Sequence, residues 1–408
     1  MPSTRGLLAR YYLFRVTNTS GFFLPVAMVI LQDKGYGLEF IGLAYAVYAF
    51  AVLLVEVPSG YVGDWLGRRP SLAVGSGVRT AVLGVYPFLP SAEAYLVVHV
   101  FWAVGRAFRS GTQDAWLYEI LQARFDEAQF ARVESRGRMA KLVTDAVTAI
   151  LGGVFYTMHP ALPFVATAAI AVLGIPLLYS FPSVERLSTD DEPTDSEPLT
   201  VREAVTVLRL QTRRPQVRWF VLYAALFYSL FVVTRIYEQP ALKSVGVPVA
   251  GFGVLYAGFK LVSAVAASTV GWLVDNLGTS GIFAALVPVY ALAYLSLVAV
   301  PLLVVPVLFL NRGLNTIVSP VRNQYLNDRL DDVGRATVLS GASMVLALVG
   351  GIARLVAGWG TGVLGPLGFF PWAGVGLALA AAVLWVLVSP VRLADEAESG
   401  TNTAAATD

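Results

Sequence analysis

The 408-residue chain has no cysteine, which excludes disulfides, thiol catalysis and thiolate-bound metals. Histidine occurs twice, at His99 and His159, with no metal-ligand spacing. Charge is scarce: 14% of residues are Asp, Glu, Lys or Arg, against roughly a quarter in soluble domains. Only four residues are lysine, at 34, 141, 243 and 260. A net charge of +2 leaves no electrostatic footprint for nucleic acid. There is no Gly-x-x-x-x-Gly-Lys loop for ATP and no clustered histidine or carboxylate site of a membrane-embedded enzyme. The sequence therefore implies a non-enzyme with neither cofactor nor metal.

What is present is apolar. Hydrophobic residues make up 56% of the chain and the mean hydropathy is +0.66, so lipid is the expected solvent. Crossing a bilayer takes roughly 20 mostly apolar residues. Segments of that kind recur at 10–32, 38–62, 71–90, 93–120, 137–158, 161–181, 217–239, 249–274, 280–300, 302–325, 335–361 and 368–389. Open backbone is not tolerated in hydrocarbon and barrel alternation is absent, so the reading is an all-α integral membrane protein with twelve transmembrane helices. The first segment lacks the pattern of a cleaved signal and is expected to stay.

Basic residues orient the chain. Arg5 and Arg10 precede the first segment, Arg68 and Arg69 follow the second, and Arg124, Arg132, Arg136 and Arg138 crowd the connection between the fourth and fifth. The opposite connections carry little beyond Lys34 and Lys243. The asymmetry places both termini in the cytoplasm and the chain in the cytoplasmic membrane. The expected domains are a six-helix bundle at 1–181, a cytoplasmic linker at 182–216, a second bundle at 217–392 and a disordered tail at 393–408. Within the linker, Thr200 and Glu203 have capping-box spacing ahead of an apolar stripe, which fits either an interfacial helix or a plain linker helix.

An internal repeat links the halves. G-Y-V-G-D-W-L-G at 60–67 and G-W-L-V-D-N-L-G at 271–278 share one Gly-x-x-x-Asp-x-x-Gly frame, each closing the second helix of its half. G-R-M at 137–139 leads to Gly152-Gly153, and G-R-A at 334–336 to Gly350-Gly351. Such symmetry between six-helix halves marks two-bundle transporters, with a substrate site near mid-membrane.

The stretch G-Y-V-G-D-W-L-G-R-R resembles the loop-2/3 motif of the major facilitator superfamily, with Gly60, Asp64, Gly67, Arg68 and Arg69 at matching positions and Trp65 in place of a basic residue. E-V-P-S-G at 56–60 and S-G-T-Q-D-A-W-L-Y-E at 110–119 resemble a prokaryotic, efflux-type branch of it. The resemblance implies two pseudo-symmetric six-helix bundles and secondary active transport by alternating access. Proton-coupled efflux of a small organic molecule by a monomer is the first reading, and proton- or ion-coupled uptake of an anionic solute is the second. It also implies a cytoplasmic gate of Gly60, Asp64, Gly67, Arg68, Arg69, Glu119, Gly271 and Asp275, in which Asp64 meets the start of helix eleven and Arg68 pairs with Glu119.

By the same resemblance, helices one, four, seven and ten line the cavity. The candidates there are Arg15 and Asn18 on helix one, then Trp102, Arg106, Arg109, Ser110 and Gln113 on one face of helix four. Tyr228 on helix seven and Asn311, Arg312 and Asn315 on helix ten complete the ring. Lys260, nearly central in helix eight, is added because a membrane charge usually faces a cavity or a partner. Asp114 and Glu56 are the proton-coupling candidates, each with a structural alternative as an ion-pair partner of a nearby arginine. Arg235 with Glu238, and Lys141 with Asp145, are expected to pair locally, and His99 to lie at the membrane interface.

Overall fold

A computed structural model describes residues 4–110, Thr112, Gln113, Trp116, Tyr118, Ile120, 127–181, 215–329 and 335–391. Among them run eleven α-helices and no strand. They are α1 (Thr4–Thr17), α2 (Val29–Asp33), α3 (Leu38–Leu66), α4 (Arg68–Val85), α5 (Ala92–Ala107) and α6 (Glu127–Met158). Then follow α7 (Leu162–Ser180), α8 (Pro215–Ser244), α9 (Val249–Ala299), α10 (Val304–Asn327) and α11 (Arg335–Val388). Seven helices among the described residues are long and apolar enough to cross a membrane. Asp114, Glu119, the 200–213 helix and the 393–408 tail lie outside the described residues, as does the side chain of Asp64.

The eleven helices account for all twelve apolar segments. At 1.5 Å per residue, the 51 residues of α9 and the 54 of α11 are each far longer than a bilayer needs. Each is two spans joined at one non-helical residue, Gly278 (φ 63°, ψ 170°) in α9 and Gly365 (φ 70°, ψ 165°) in α11. Gly67, which separates α3 from α4, has the same conformation at φ 82° and ψ 156°. That region of backbone space is open essentially to glycine alone. The repeated frame thus has a physical purpose at its last position: Gly67 and Gly278 each turn one helix into the next within a single residue. Gly278→Ala is expected to cost about 1–3 kcal/mol and to lower the melting temperature of the purified chain; an unchanged melt would show that the turn relaxes at no cost.

Two contact-defined units divide the chain: Met1–Ser196 with Gly246–Lys260, and Glu197–Val245 with Leu261–Asp408. In the first, α3 and α4 each pack on α5, α4 on α7, and α1 on α6 and α7. Leu7, Tyr11, Phe14, Trp116, Leu178 and Phe181 form an apolar cluster around the first half of α1. In the second, α8 packs along α11 and α10, and Phe220 meets Phe283 edge to face and Tyr325 at a tilt, with ring centroids 5.1 and 3.9 Å apart. Large apolar side chains such as Leu54, Leu261, Trp272, Trp359 and Leu387 stay exposed, as lipid-facing residues do.

Candidate functional site

The first apolar segment is broken rather than continuous. Helix α1 stops at Thr17, residues 18–23 form turns, and helix resumes only at Val29 after a short 3₁₀ turn at Leu24–Val26. Backbone freed inside a membrane must find other partners. Arg79 of α4, itself buried, donates from Nη2 to the Thr19 carbonyl and, at 3.2 Å, to Ser20 Oγ. From α6, Asp145 Oδ1 accepts from Thr19 Oγ1 at 2.9 Å and from the Ser20 amide at 3.2 Å. The break seats directly on α6, because a Cβ at Gly21 would meet the Asp145 carbonyl at 2.3 Å and one at Gly152 the Phe22 carbonyl at 2.1 Å. Side chains at either position would push the two segments apart.

Beside the break, Asn18 Nδ2 donates to the Phe14 carbonyl at 2.8 Å, leaving Oδ1 to accept from Arg109 Nη2. Gln113 Oε1 accepts from the same nitrogen at 3.3 Å. Arg109 is therefore a partly buried guanidinium held by two neutral amides, with no carboxylate pairing to it among the described residues. Asp145 itself serves two ammonium groups through Oδ2, Lys141 at 2.7 Å and Lys260 at 3.5 Å. Arg79, Arg109, Lys141 and Lys260 thus share a hydrogen-bonded neighbourhood in which Asp145 is the one described carboxylate. Among the described residues the neighbourhood holds four cations and this one carboxylate.

The second unit has its own polar core. Glu238, 1% exposed, accepts two bonds from Arg312 Nη2, at 3.0 and 2.7 Å, and the guanidinium lies 5.9 Å from the Phe231 ring centre. Asn311 donates to the Tyr294 hydroxyl at 2.7 Å, and that hydroxyl meets Thr234 Oγ1 at 2.5 Å. Tyr228 and Asn315 line a small cleft with Phe227, Phe231, Tyr290 and Arg322. Here Arg312 is paired with a carboxylate.

The sequence model of the Major Facilitator Superfamily matches residues 11–339. The chain belongs to that superfamily. An uncharacterized MFS-type transporter of Bacillus subtilis (strain 168), YxaM, is 23% identical over 240 residues, which cover 58% of this chain and 58% of that protein. The match thus spans little more than half the length of that relative. Among solved structures, the nucleoside transporter NupG superposes with a TM-score of 0.70 at 12% identity, over 93% of this chain and 96% of NupG. A bacterial homologue of the iron transporter ferroportin gives 0.70 at 15% identity, over 96% of this chain and all of that one. A D-xylose–proton symporter gives 0.66 at 14%, over 94% and 96%. These identities carry the fold alone. Membership of the major facilitator superfamily makes the chain a multi-pass membrane protein of the two-bundle, twelve-helix fold, not an enzyme.

Against that superfamily frame, the residues singled out from the sequence fall into three groups. Asn18, Arg109, Gln113 and Lys260 meet at or near the helix break. Arg15 is buried next to it, its guanidinium 5.7 Å from the Tyr11 ring centre. Trp102 instead joins an aromatic cluster with Phe23, Tyr48, Tyr86 and His99. Arg106, Ser110 and Glu56 are exposed. Helix α5 ends at Ala107 and residues 108–110 form a turn, across which the Ser110 amide donates to the Arg106 carbonyl at 2.8 Å and the Gln113 amide to the Arg109 carbonyl at 3.2 Å.

Glu238 binds Arg312, 74 positions away, a partner that the local reading did not name. His99 is fully buried among protein side chains, its Nδ1 2.7 Å from the Tyr95 carbonyl and its ring covered by Tyr45 and Tyr86. The Lys141–Asp145 pair forms as expected, but its hub role at the helix break was not visible. The Asx-Thr-Ser-Gly run at 18–21 was the available signal, being four turn-prone residues inside an apolar segment.

In the gate motif, Gly67 is the turn and Arg68 is exposed on the first turn of α4. Arg69 Nη2 donates to the Phe181 carbonyl at 2.6 Å, and Arg10 donates to that of Ser180. Both cap the carbonyl end of α7, where cations are favoured. Gly60 lies inside α3; Gly271 and Asp275 are exposed on α9.

Proposed function

We propose that this transporter carries a small organic anion, taken up with protons, and that the break in helix one with Arg79, Arg109, Lys141 and Lys260 receives its charged group. The supporting observation is Arg109, a guanidinium deep in the first unit that two amides hold without neutralising. A charge in that setting calls for a counter-charge, and an anionic cargo supplies one. Accumulating an anion against an inside-negative potential costs about 2.3 kcal/mol per charge per 100 mV, so protons must move with it. Arg79 favours protons over sodium, because its guanidinium occupies the carbonyl of the broken helix, the kind of group that coordinates sodium in other carriers. Asp114 and Glu56 are the candidate proton carriers, and the Asp64 frame is the candidate inner gate.

The test is uptake into proteoliposomes of benzoate and lactate, with xylose as a neutral control, under a pH gradient alkaline inside. Uptake of the carboxylates alone, abolished by a protonophore, is expected; proton-driven extrusion of neutral or cationic compounds would reinstate export by antiport. Both termini are proposed to be cytoplasmic, in the cytoplasmic membrane, with the chain acting as a monomer without nucleic-acid partners. Single cysteines at Ser196 and Lys243 should react with impermeant maleimide from opposite sides of the membrane in this cysteine-free chain. Reaction from one side would refute the orientation.

A further inference from the structure

We propose that the cleft between α10 and the first arm of α11, around Arg322, is a second anion site that takes small monocarboxylates with an apolar body. It belongs to the second unit and shares no residue with the break in helix one. It rests on the anionic-cargo reading only in taking the same class of ion.

The cleft encloses about 160 Å³. Arg322, Asn323 and Asn327 line it from the last two turns of α10, and Leu339, Ser343 and Leu346 from α11. One wall is rich in N–H donors and the other is mostly apolar. Small-molecule sites have that make-up, an apolar lining with a few placed polar groups. The volume is about five times a water molecule's share of the liquid, room for one compact ion and no more.

The donors are already set. Arg322 Nε and Nη2 both donate to Asn323 Oδ1, at 3.2 and 3.0 Å. That leaves Nη1 and a second Nη2 proton of the guanidinium for another acceptor. With Asn323 Oδ1 taking those two bonds, its Nδ2 is left to donate as well. Among the described residues no carboxylate forms an ion pair with Arg322, so a half-buried guanidinium keeps its full charge against a neutral amide. A charge so placed favours a counter-ion, and the planar fork suits a carboxylate.

The α11 wall selects the rest of the ligand. Ser343 Oγ donates to the Leu339 carbonyl at 3.0 Å, so that wall offers neither a charge nor a spare donor. The carboxylate therefore turns to α10, and the apolar body lies against Leu339 and Leu346. A second carboxylate on the solute would be stranded among leucines. Arg322 also lines the small cleft of Tyr228 and Asn315. Asn315, Ser319 and Arg322 stand at i, i+4 and i+7 on one face of α10, so a polar row joins the two clefts.

Ser343→Cys puts a lone thiol on the cleft wall of the full-length, cysteine-free chain. Labelling uses N-ethylmaleimide, which is uncharged, so its rate does not follow the charge at position 322. The added ion is benzoate, exchanged for chloride at constant ionic strength, and the readout is the concentration that halves the labelling rate. Benzoate is expected to protect the thiol. Formate, a carboxylate without the apolar body, should need a higher concentration, and xylose should not protect. Arg322→Gln is expected to raise the half-protecting concentration about tenfold or more, the scale of a hydrogen bond to a charged group, while Arg109→Ala leaves it unchanged. Protection lost in Arg109→Ala and kept in Arg322→Gln would show a change of shape driven from the first unit, and would overturn the proposal. Equal protection by formate or xylose, or none by benzoate, would do the same. Should Arg322→Gln fold poorly, Asn327→Leu decides: it removes a donor and no charge, and an unmoved half-protecting concentration is the refuting result. Protection that depends on Arg322, with no carboxylate transported, would sink the cargo reading and leave the site standing; transported carboxylates with an unprotected thiol would do the reverse.

Discussion

Arg109→Ala is expected to lower transport about a hundredfold while the chain still reaches the membrane. The substitution removes the charge that Asn18 and Gln113 hold at the break in helix one, and truncating a buried, hydrogen-bonded charge that meets a partner of opposite sign costs about 2–5 kcal/mol of binding. At 1.4 kcal/mol per tenfold, the lower part of that range already reaches a hundredfold. Because both partners are amides, no buried ion is stranded when Arg109 goes, so folding should suffer far less than function. Arg109→Lys keeps the charge but loses the planar fork that spans two acceptors at once, and an intermediate loss of about tenfold is expected. The measurement is initial uptake rate normalised to the amount of protein in the vesicles. Wild-type rates in Arg109→Ala would remove this residue from the substrate site.

Glu238→Gln should behave in the opposite way, unfolding the protein before it informs on transport. The substitution leaves Arg312, 12% exposed, without the carboxylate that binds it at 2.7 Å. Breaking one side of a buried pair costs about 3–5 kcal/mol, whereas replacing both members with apolar groups of similar size is often neutral. Thermal unfolding in detergent should therefore drop sharply for Glu238→Gln and recover in the Glu238→Leu/Arg312→Met double variant. Equal melting of the two variants would show that the pair is not what holds α8 to α10.

The two experiments probe the difference between the units, and that difference also explains what the sequence disclosed. Composition and segment length lead directly to a helical membrane protein, since without barrel alternation only helices satisfy the backbone in lipid. The twin Gly-x-x-x-Asp-x-x-Gly frames were legible as a repeat, and their final glycines prove to be the turns. The partners at the site were not legible. Asp145 reaches Thr19 across 126 positions and Arg79 reaches it across 60, so the helix break depends on residues that no local window contains. Glu238 illustrates the same limit, because its partner Arg312 lies 74 positions away. On helix four, a 3.6-residue wheel gathered Arg106, Arg109, Ser110 and Gln113 on one side. The described helix ends at Ala107, and past the turn at 108–110 Arg109 still meets Gln113.

The one-residue turns at Gly67, Gly278 and Gly365 carry a mechanical consequence. A long flexible loop lets its two helices slide and swivel independently; a single glycine leaves no slack for either. Helices α3 and α4, the two arms of α9 and the two arms of α11 must each travel as one stiff hairpin, so a torque applied to one arm is delivered to the other without loss in the joint. The same stiffness makes these corners poor places for epitope tags or protease sites. An insertion there would supply the slack that the joint lacks, and the hairpin would cease to act as a lever.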